Sequence, residues 1–211
     1  MKKRWLTLAA HLGLVSGAAE KIWFDLVAAY GADGRFYHNL THIKHALDVA
    51  EQLQAVAVDF TAVQLAIWFH DVVYDPRRSD NEAESAAYAE RVLRPLGVPD
   101  ELLTKVCTLI LATKTHEAAA DPDVWVMLDA DLAILGAPPE QYDAYARAIW
   151  QEYSFVPEDQ YVLGRTAVLQ TFLVRSPFYF TEQMQERGDT AVYENLGREL
   201  AQLKKRNTEG R

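Results

Sequence analysis

Residues 40–56 read Leu40-Thr41-His42-Ile43-Lys44-His45-Ala46-Leu47-Asp48-Val49-Ala50-Glu51-Gln52-Leu53-Gln54-Ala55-Val56. At about 100° per residue, His42, Ala46, Val49 and Leu53 fall within about 60° of one another on a helical wheel. Lys44, Asp48, Glu51 and Gln52 occupy the opposite arc. This is a helix with one apolar face, and it turns His42 inward among aliphatic side chains. Strict apolar–polar alternation, the mark of a half-buried strand, is nearly absent here and along the rest of the chain.

The same period predicts further helices over 18–30, from Asp59 through His70, from Ser79 or Asp80 to Gly97, and over 99–112, 123–135, 139–153, 157–175 and 181–205. Their ends carry helix punctuation. Gly31, Gly97 and Gly136 sit where glycine stops a helix, and Pro99, Pro139 and Pro157 where proline starts one. Asp59 is a natural N-cap, and Glu82 and Glu84 favour the first turn of the helix they open. Loops are short, no low-complexity linker intervenes and no internal repeat is present. The expectation is one all-α domain over residues 1–211.

Composition narrows the function. Half of the 211 residues are apolar, enough for a sizeable core. The 21 Lys and Arg stand against 30 Asp and Glu, a net charge of −9, with no basic stripe for a phosphate backbone. A polymeric nucleic acid is therefore not the expected partner, whereas a small nucleotide is compatible. The single cysteine, Cys107, excludes an intrachain disulfide and a thiolate metal cage, and its apolar surroundings read as core. No run of about 18 apolar residues occurs, and the basic start, Lys2-Lys3-Arg4, leads into a stretch broken by Thr7, His11 and Ser16. The expectation is a soluble, cytoplasmic protein without a membrane partner; an oligomer is left open.

Four of the six histidines, His38, His42, His45 and His70, fall within residues 38–70. His42 and His70 both lie on inward stripes, and His70 is followed at once by Asp71. Two imidazoles and a carboxylate converging in an interior call for a cation, because a buried carboxylate has to be paired. That donor set suits a divalent transition metal. A further carboxylate is available in Val124-Trp125-Val126-Met127-Leu128-Asp129-Ala130-Asp131-Leu132. The segment is apolar on every side, so periodicity leaves open which aspartate faces the metal.

The order of these residues resembles the HD-domain superfamily. The strings Tyr37-His38-Asn39-Leu40-Thr41-His42, Trp68-Phe69-His70-Asp71-Val72-Val73-Tyr74, Asp80-Asn81-Glu82-Ala83-Glu84-Ser85-Ala86 and Leu128-Asp129-Ala130-Asp131-Leu132-Ala133-Ile134-Leu135-Gly136 carry it. They are similar to the predicted metal-dependent phosphohydrolases of that superfamily. The similarity continues through Glu152-Tyr153, Gly164-Arg165 and Glu194-Asn195-Leu196. It implies an HD-type helical bundle, its core at about 18–136, with additional C-terminal helices at about 137–207. It also implies His42, His70, Asp71 and Asp131 as ligands of one divalent ion (Mn, Fe, Co, Ni, Zn or Mg), with Asp129 in a supporting position.

The implied reaction is hydrolysis of a small phosphorylated metabolite, a nucleotide among the candidates, by a metal-activated water. Asp71 would act at that water, and Lys114, His116 and Arg165 would offset phosphate charge. His38 is a candidate substrate contact, and Asn81, Glu82 and Ser85 are placed to order the loop after the His-Asp pair. Two other readings remain. One is an HD-fold oxygenase with two irons, for which His116 alone supplies an imidazole between Asp71 and Asp131. The other is a non-catalytic, metal-containing ligand-binding protein.

Overall fold

The computed structural model of the chain describes residues 1–117 and 120–209. Among these residues its regular structure is all helix, with no strand. The chain forms two compact units, Met1–Asp131 and the residues from Leu132 onward, and each is described by itself. The boundary falls a little ahead of the 136/137 division expected between core and C-terminal helices.

The first unit contains α1 (Lys2–His11), α2 (Ser16–Tyr30), α3 (Leu40–Gln52), α4 (Phe60–Phe69), α5 (Asn81–Leu93), α6 (Asp100–Ala112) and nearly all of α7 (Pro122–Leu132). Its centre is α4, Phe-Thr-Ala-Val-Gln-Leu-Ala-Ile-Trp-Phe, of which only Phe60, Thr61 and Gln64 reach solvent in part. A helix without a polar face has to be covered on all sides. Accordingly α3, α5 and α6 all pack against α4. Each large side chain enclosed this way contributes about 1.5–3 kcal/mol of transfer free energy.

The N-terminal stretch is a helix that the sequence reading did not expect. Trp5, Leu8 and Ala9 are buried at i, i+3 and i+4, while Thr7 and His11 face outward. Trp5 meets Trp68 and Phe69 edge-on at 5.8 and 5.9 Å and donates its indole N–H to the Ala19 carbonyl at 2.7 Å. The polar residues that interrupt this stretch in sequence are simply its solvent face.

Helix ends follow the punctuation with a few displacements. Asp59 caps α4, accepting from the Ala62 amide at 2.9 Å. Gly97, at φ +82°, takes the left-handed turn that closes the short 3-10 turn after α5. The helix expected through 56 stops at Gln52, and residues 53–56 turn instead. Asp80 occupies the N-cap position of α5, yet its carboxylate binds Arg78 at 2.7 and 2.9 Å rather than a helix amide. Cys107, expected in the core, is half-buried, its thiol 3.6 Å from the Ala86 carbonyl.

The turn between α3 and α4 is anchored by the buried Asp123 of α7. Its Oδ1 accepts from the Val58 and Asp59 amides at 2.7 and 3.0 Å, and Lys105 lies 2.9 Å from Oδ2. Burial pushes this carboxyl up, but Lys105 and the two amides outweigh it and hold the group below the ordinary aspartate range. Asp123→Asn is expected to cost about 1.5–3 kcal/mol at neutral pH, the range for hydrogen bonds to a charged group. The carboxylate's contribution is complete above the unfolded-state pKa and is lost as pH falls through the lower folded-state value. Thermal melts of the two proteins should therefore converge in acid; a constant difference down to strongly acidic pH would sink this account.

The second unit holds a 3-10 turn (Ala133–Gly136), α8 (Pro139–Glu152), α9 (Glu158–Leu173) and α10 (Glu182–Glu209). The 3-10 turn lies against α10, where a Cβ on Gly136 would meet the Tyr179 hydroxyl at 2.8 Å and the Gly188 carbonyl at 3.1 Å. Asn195 closes the same contact by donating to the Leu135 and Ala137 carbonyls, both at 2.9 Å. No helix among the described residues is long and apolar enough to cross a membrane.

Candidate metal centre

Three segments of the first unit deliver the site. α3 projects His42 from its inward face. His70 is the C-cap of α4, not a residue within the helix, and Asp71 follows in the turn. That position has a local consequence. The last turn of a helix leaves carbonyls without intrahelical partners, and the Ile67 carbonyl lies 3.0 Å from His70 Nδ1. An acceptor there keeps the proton on Nδ1 and turns the Nε2 lone pair to the site. His42 is fixed differently, by its ring packing against Tyr37 at 4.8 Å. Its Nδ1 is buried without a hydrogen-bond partner.

The third segment, α7, supplies the carboxylate that periodicity left open between Asp129 and Asp131. Asp131 places Oδ1 at 3.1 Å from His42 Nε2 and 3.3 Å from His70 Nε2. Asp129 is buried and stands outside this cluster. The two imidazole Nε2 atoms are 3.1 Å apart. One ligand atom from each of His42, His70 and Asp131 lies within 4.8 Å of the others, so the three residues can hold a metal ion. Asp71 Oδ2 is 2.9 Å from His70 Nε2 and 3.6 Å from His42 Nε2, but Asp71 falls outside the set whose atoms are all mutually that close.

The donor set fits a divalent cation. Neighbouring donors around an ion with bonds of about 2.0–2.2 Å stand roughly 3.0–3.5 Å apart. In its neutral form, with the proton on Nδ1, His70 turns a lone pair toward another imidazole and two carboxylates, an arrangement that only a cation satisfies. Burial opposes a second proton on His70, yet Asp71 and Asp131 raise its pKa well above the usual histidine value. Burial likewise pushes both carboxyls up, and His70 ahead of the other imidazoles pulls both well below the usual range. In each form the centre takes a cation, and a metal competes with that proton for one lone pair. The imidazoles are the buried part, with side chains 2% exposed, while Asp71 and Asp131 are 16% and 13% exposed.

His116, expected to face a phosphate, hydrogen-bonds the other oxygen of Asp131, Nε2 to Oδ2 at 3.1 Å. It does so from a left-handed backbone, φ +52°, which costs a residue with a Cβ about 1 kcal/mol or more. Lys114, the second expected phosphate contact, donates instead to the Ser79 carbonyl at 2.8 Å. Arg165, the third, is committed inside the second unit to Glu199 at 2.8 and 3.0 Å. His38 stacks on Tyr74 at 4.1 Å. Glu82 is half-buried near the start of α5 and belongs to no ligand cluster among the described residues.

The loop after the His-Asp pair is held by side chains that imitate a strand partner. Ser85 both accepts from and donates to the Val73 backbone at 3.1 Å. Asn81, one turn earlier on α5, does the same for Asp75 at 3.1 and 2.9 Å. The residue that sequence reasoning missed is Arg35. It donates to the Asp71, Val72 and His38 carbonyls at 2.6, 3.0 and 3.1 Å, lying between Tyr30 and Tyr74 at 5.3 and 5.5 Å from their ring centres. An arginine in a turn beside Gly34 has no periodicity to betray this role.

Arg35→Lys keeps the charge and loses the planar fork. It is expected to weaken metal binding about 10–100-fold, as loss of outer-shell support does, with the helical spectrum unchanged. Chelator competition measures this, and unaltered affinity would remove Arg35 from the site. No protein-family model, curated protein or solved structure matches the chain.

Proposed function

We propose that the chain is a metal-dependent phosphohydrolase of the HD-domain type, acting on a phosphoester or phosphoanhydride of a small metabolite such as a nucleotide. The observation that carries this reading is the convergence of His42, His70 and Asp131 from three separate segments, with imidazole nitrogens 3.1 Å apart. The order of motifs along the chain, which resembles that superfamily, gives it a reaction class. Asp71 is the fourth ligand in this reading, its Oδ2 2.9 Å from His70 Nε2.

When bound, the divalent ion polarises a phosphoryl oxygen and lowers the pKa of a water toward neutrality. The protein's own groups do the rest. His70 keeps its proton on Nδ1, against the Ile67 carbonyl, and so offers Nε2 as a ligand. Asp131 offers Oδ1 while His116 holds Oδ2, which fixes the carboxylate plane. Asp71 stays ionised, and its second oxygen accepts a hydrogen bond from the attacking water. His38, kept in place by Tyr74, meets the phosphate. Lys114 and Arg165 drop out of the charge-offsetting role because both are engaged elsewhere.

The acidic chain without a basic stripe supports a small-molecule substrate over a nucleic-acid polymer, and the lone cysteine supports a reducing, cytoplasmic setting. Elemental analysis is expected to find about one divalent ion per chain. A phosphate-release screen over nucleotides and sugar phosphates should give metal-dependent, oxygen-independent turnover. Two irons per chain with oxygen consumption, or a metal-loaded protein inert to every phosphate ester, would overturn the proposal.

A further inference from the structure

Among α8, α9 and α10 the second unit carries a solvent-open pocket of about 290 Å³, lined by none of the metal-centre residues. α8 lines it with Asp143, Ala146, Arg147 and Trp150, the i, i+3, i+4, i+7 spacing of one helix face. α10 lines it with residues 199, 202, 203 and 206 at the same spacing. Packed helices normally place aliphatic side chains on such a seam. Here only Ala146, Trp150 and Leu203 are apolar, and the small Ala146 leaves the space open.

Polar groups withdrawn into a fold need partners, and on this seam the acids have them. Glu199 accepts from Arg165 and Tyr142, and Asp143 accepts from Arg198 at 2.9 Å. The bases, Arg147 and Arg206, reach solvent at the edge of the seam and are less committed. Arg147 makes no ion pair among the described residues. Arg206 reaches Glu158 only at 3.8 Å, with side chains 53% and 63% exposed, a pairing worth little. Arg206 also lies 5.2 Å over the Trp150 ring, and Trp150 meets Tyr161 edge-on at 4.5 Å. A flat apolar wall thus stands beside two guanidiniums in a chain whose net charge is −9.

We propose that this pocket binds a small organic anion, its carboxylate or phosphate group between Arg147 and Arg206 and its flat apolar body against Trp150. The guanidinium fork matches either acid group. The volume sits at the low end of ligand pockets, about 300–1,000 Å³, which restricts the body to about a single ring.

The test is calorimetric titration of the full chain, treated with chelator to remove metal-centred binding. The probes are phenyl phosphate, benzoate and neutral phenol. Saturable one-to-one binding of one or both acids is expected, with half-saturation below about 1 mM and none for phenol; the two acids tell phosphate from carboxylate. Ala146→Leu fills the space and Arg147→Gln removes a charge, both outside the Arg165–Glu199 pair. Each should weaken binding about tenfold or more while circular dichroism stays unchanged. The proposal fails if neither acid saturates in the millimolar range, if phenol binds as well as they do, or if Ala146→Leu binds like the parent chain.

Discussion

His70→Ala is expected to lose its divalent metal, from about one ion per chain to almost none, with affinity down by more than about 100-fold. The bound is set by outer-shell substitutions, which already cost 10–100-fold; removing a donor costs more. His70 Nε2 lies 3.1 Å from His42 Nε2, 2.9 Å from Asp71 Oδ2 and 3.3 Å from Asp131 Oδ1, within reach of every other donor. Alanine also leaves Asp71 and Asp131 facing each other's charge with a single imidazole between them. His70→Asn is the companion variant, keeping a polar side chain at the helix end if alanine destabilises the turn. His45→Ala, half-buried on α3 and outside the cluster, should retain the metal. Stoichiometric metal in both His70 variants would remove the site from these residues altogether.

The largest stability effect belongs to Glu199→Ala in the second unit. Arg165 and Glu199 side chains are each 8% exposed, and the carboxylate accepts from Arg165 Nε, Arg165 Nη2 and the Tyr142 hydroxyl. Truncating the acid strands a guanidinium and a phenol in the interior. Breaking a buried pair from one side costs about 3–5 kcal/mol, a large share of the 5–15 kcal/mol that stabilises a typical domain. For a unit of this size the melting transition should fall by roughly 12 °C or more. The double variant Arg165→Met/Glu199→Leu should melt well above the single one, because it leaves no buried charge alone. A loss below about 1 kcal/mol in Glu199→Ala would mean that water reaches the pair.

Much of the fold was legible because helix formation has a local signature. The period of 3.6, the Asp59 cap, the left-handed Gly97 and the prolines at helix starts are all readable within one or two turns. The inward direction of His42 came from the same period. Where signals conflicted locally, reading was poorer: the polar Thr7 and His11 disguised α1, and Asp80 had a nearer cation in Arg78 than the helix amide it was expected to cap.

The sequence by itself determined the helical class, most helix positions and the inward direction of His42 and His70, and it offered the aspartates of α7 as candidate partners for them. Periodicity could not name which aspartate meets the imidazoles, because a helix apolar on every side has no distinct face; the motif resemblance pointed to Asp131, and the tertiary structure sets its Oδ1 beside both rings. Tertiary structure alone directed Lys114 to the Ser79 carbonyl, Arg165 to Glu199, and Arg35 to the Asp71 and Val72 carbonyls. Those partners lie some 34 to 37 positions away along the chain. A charged side chain chooses among distant partners by distance and desolvation, and neither quantity exists until the helices have packed.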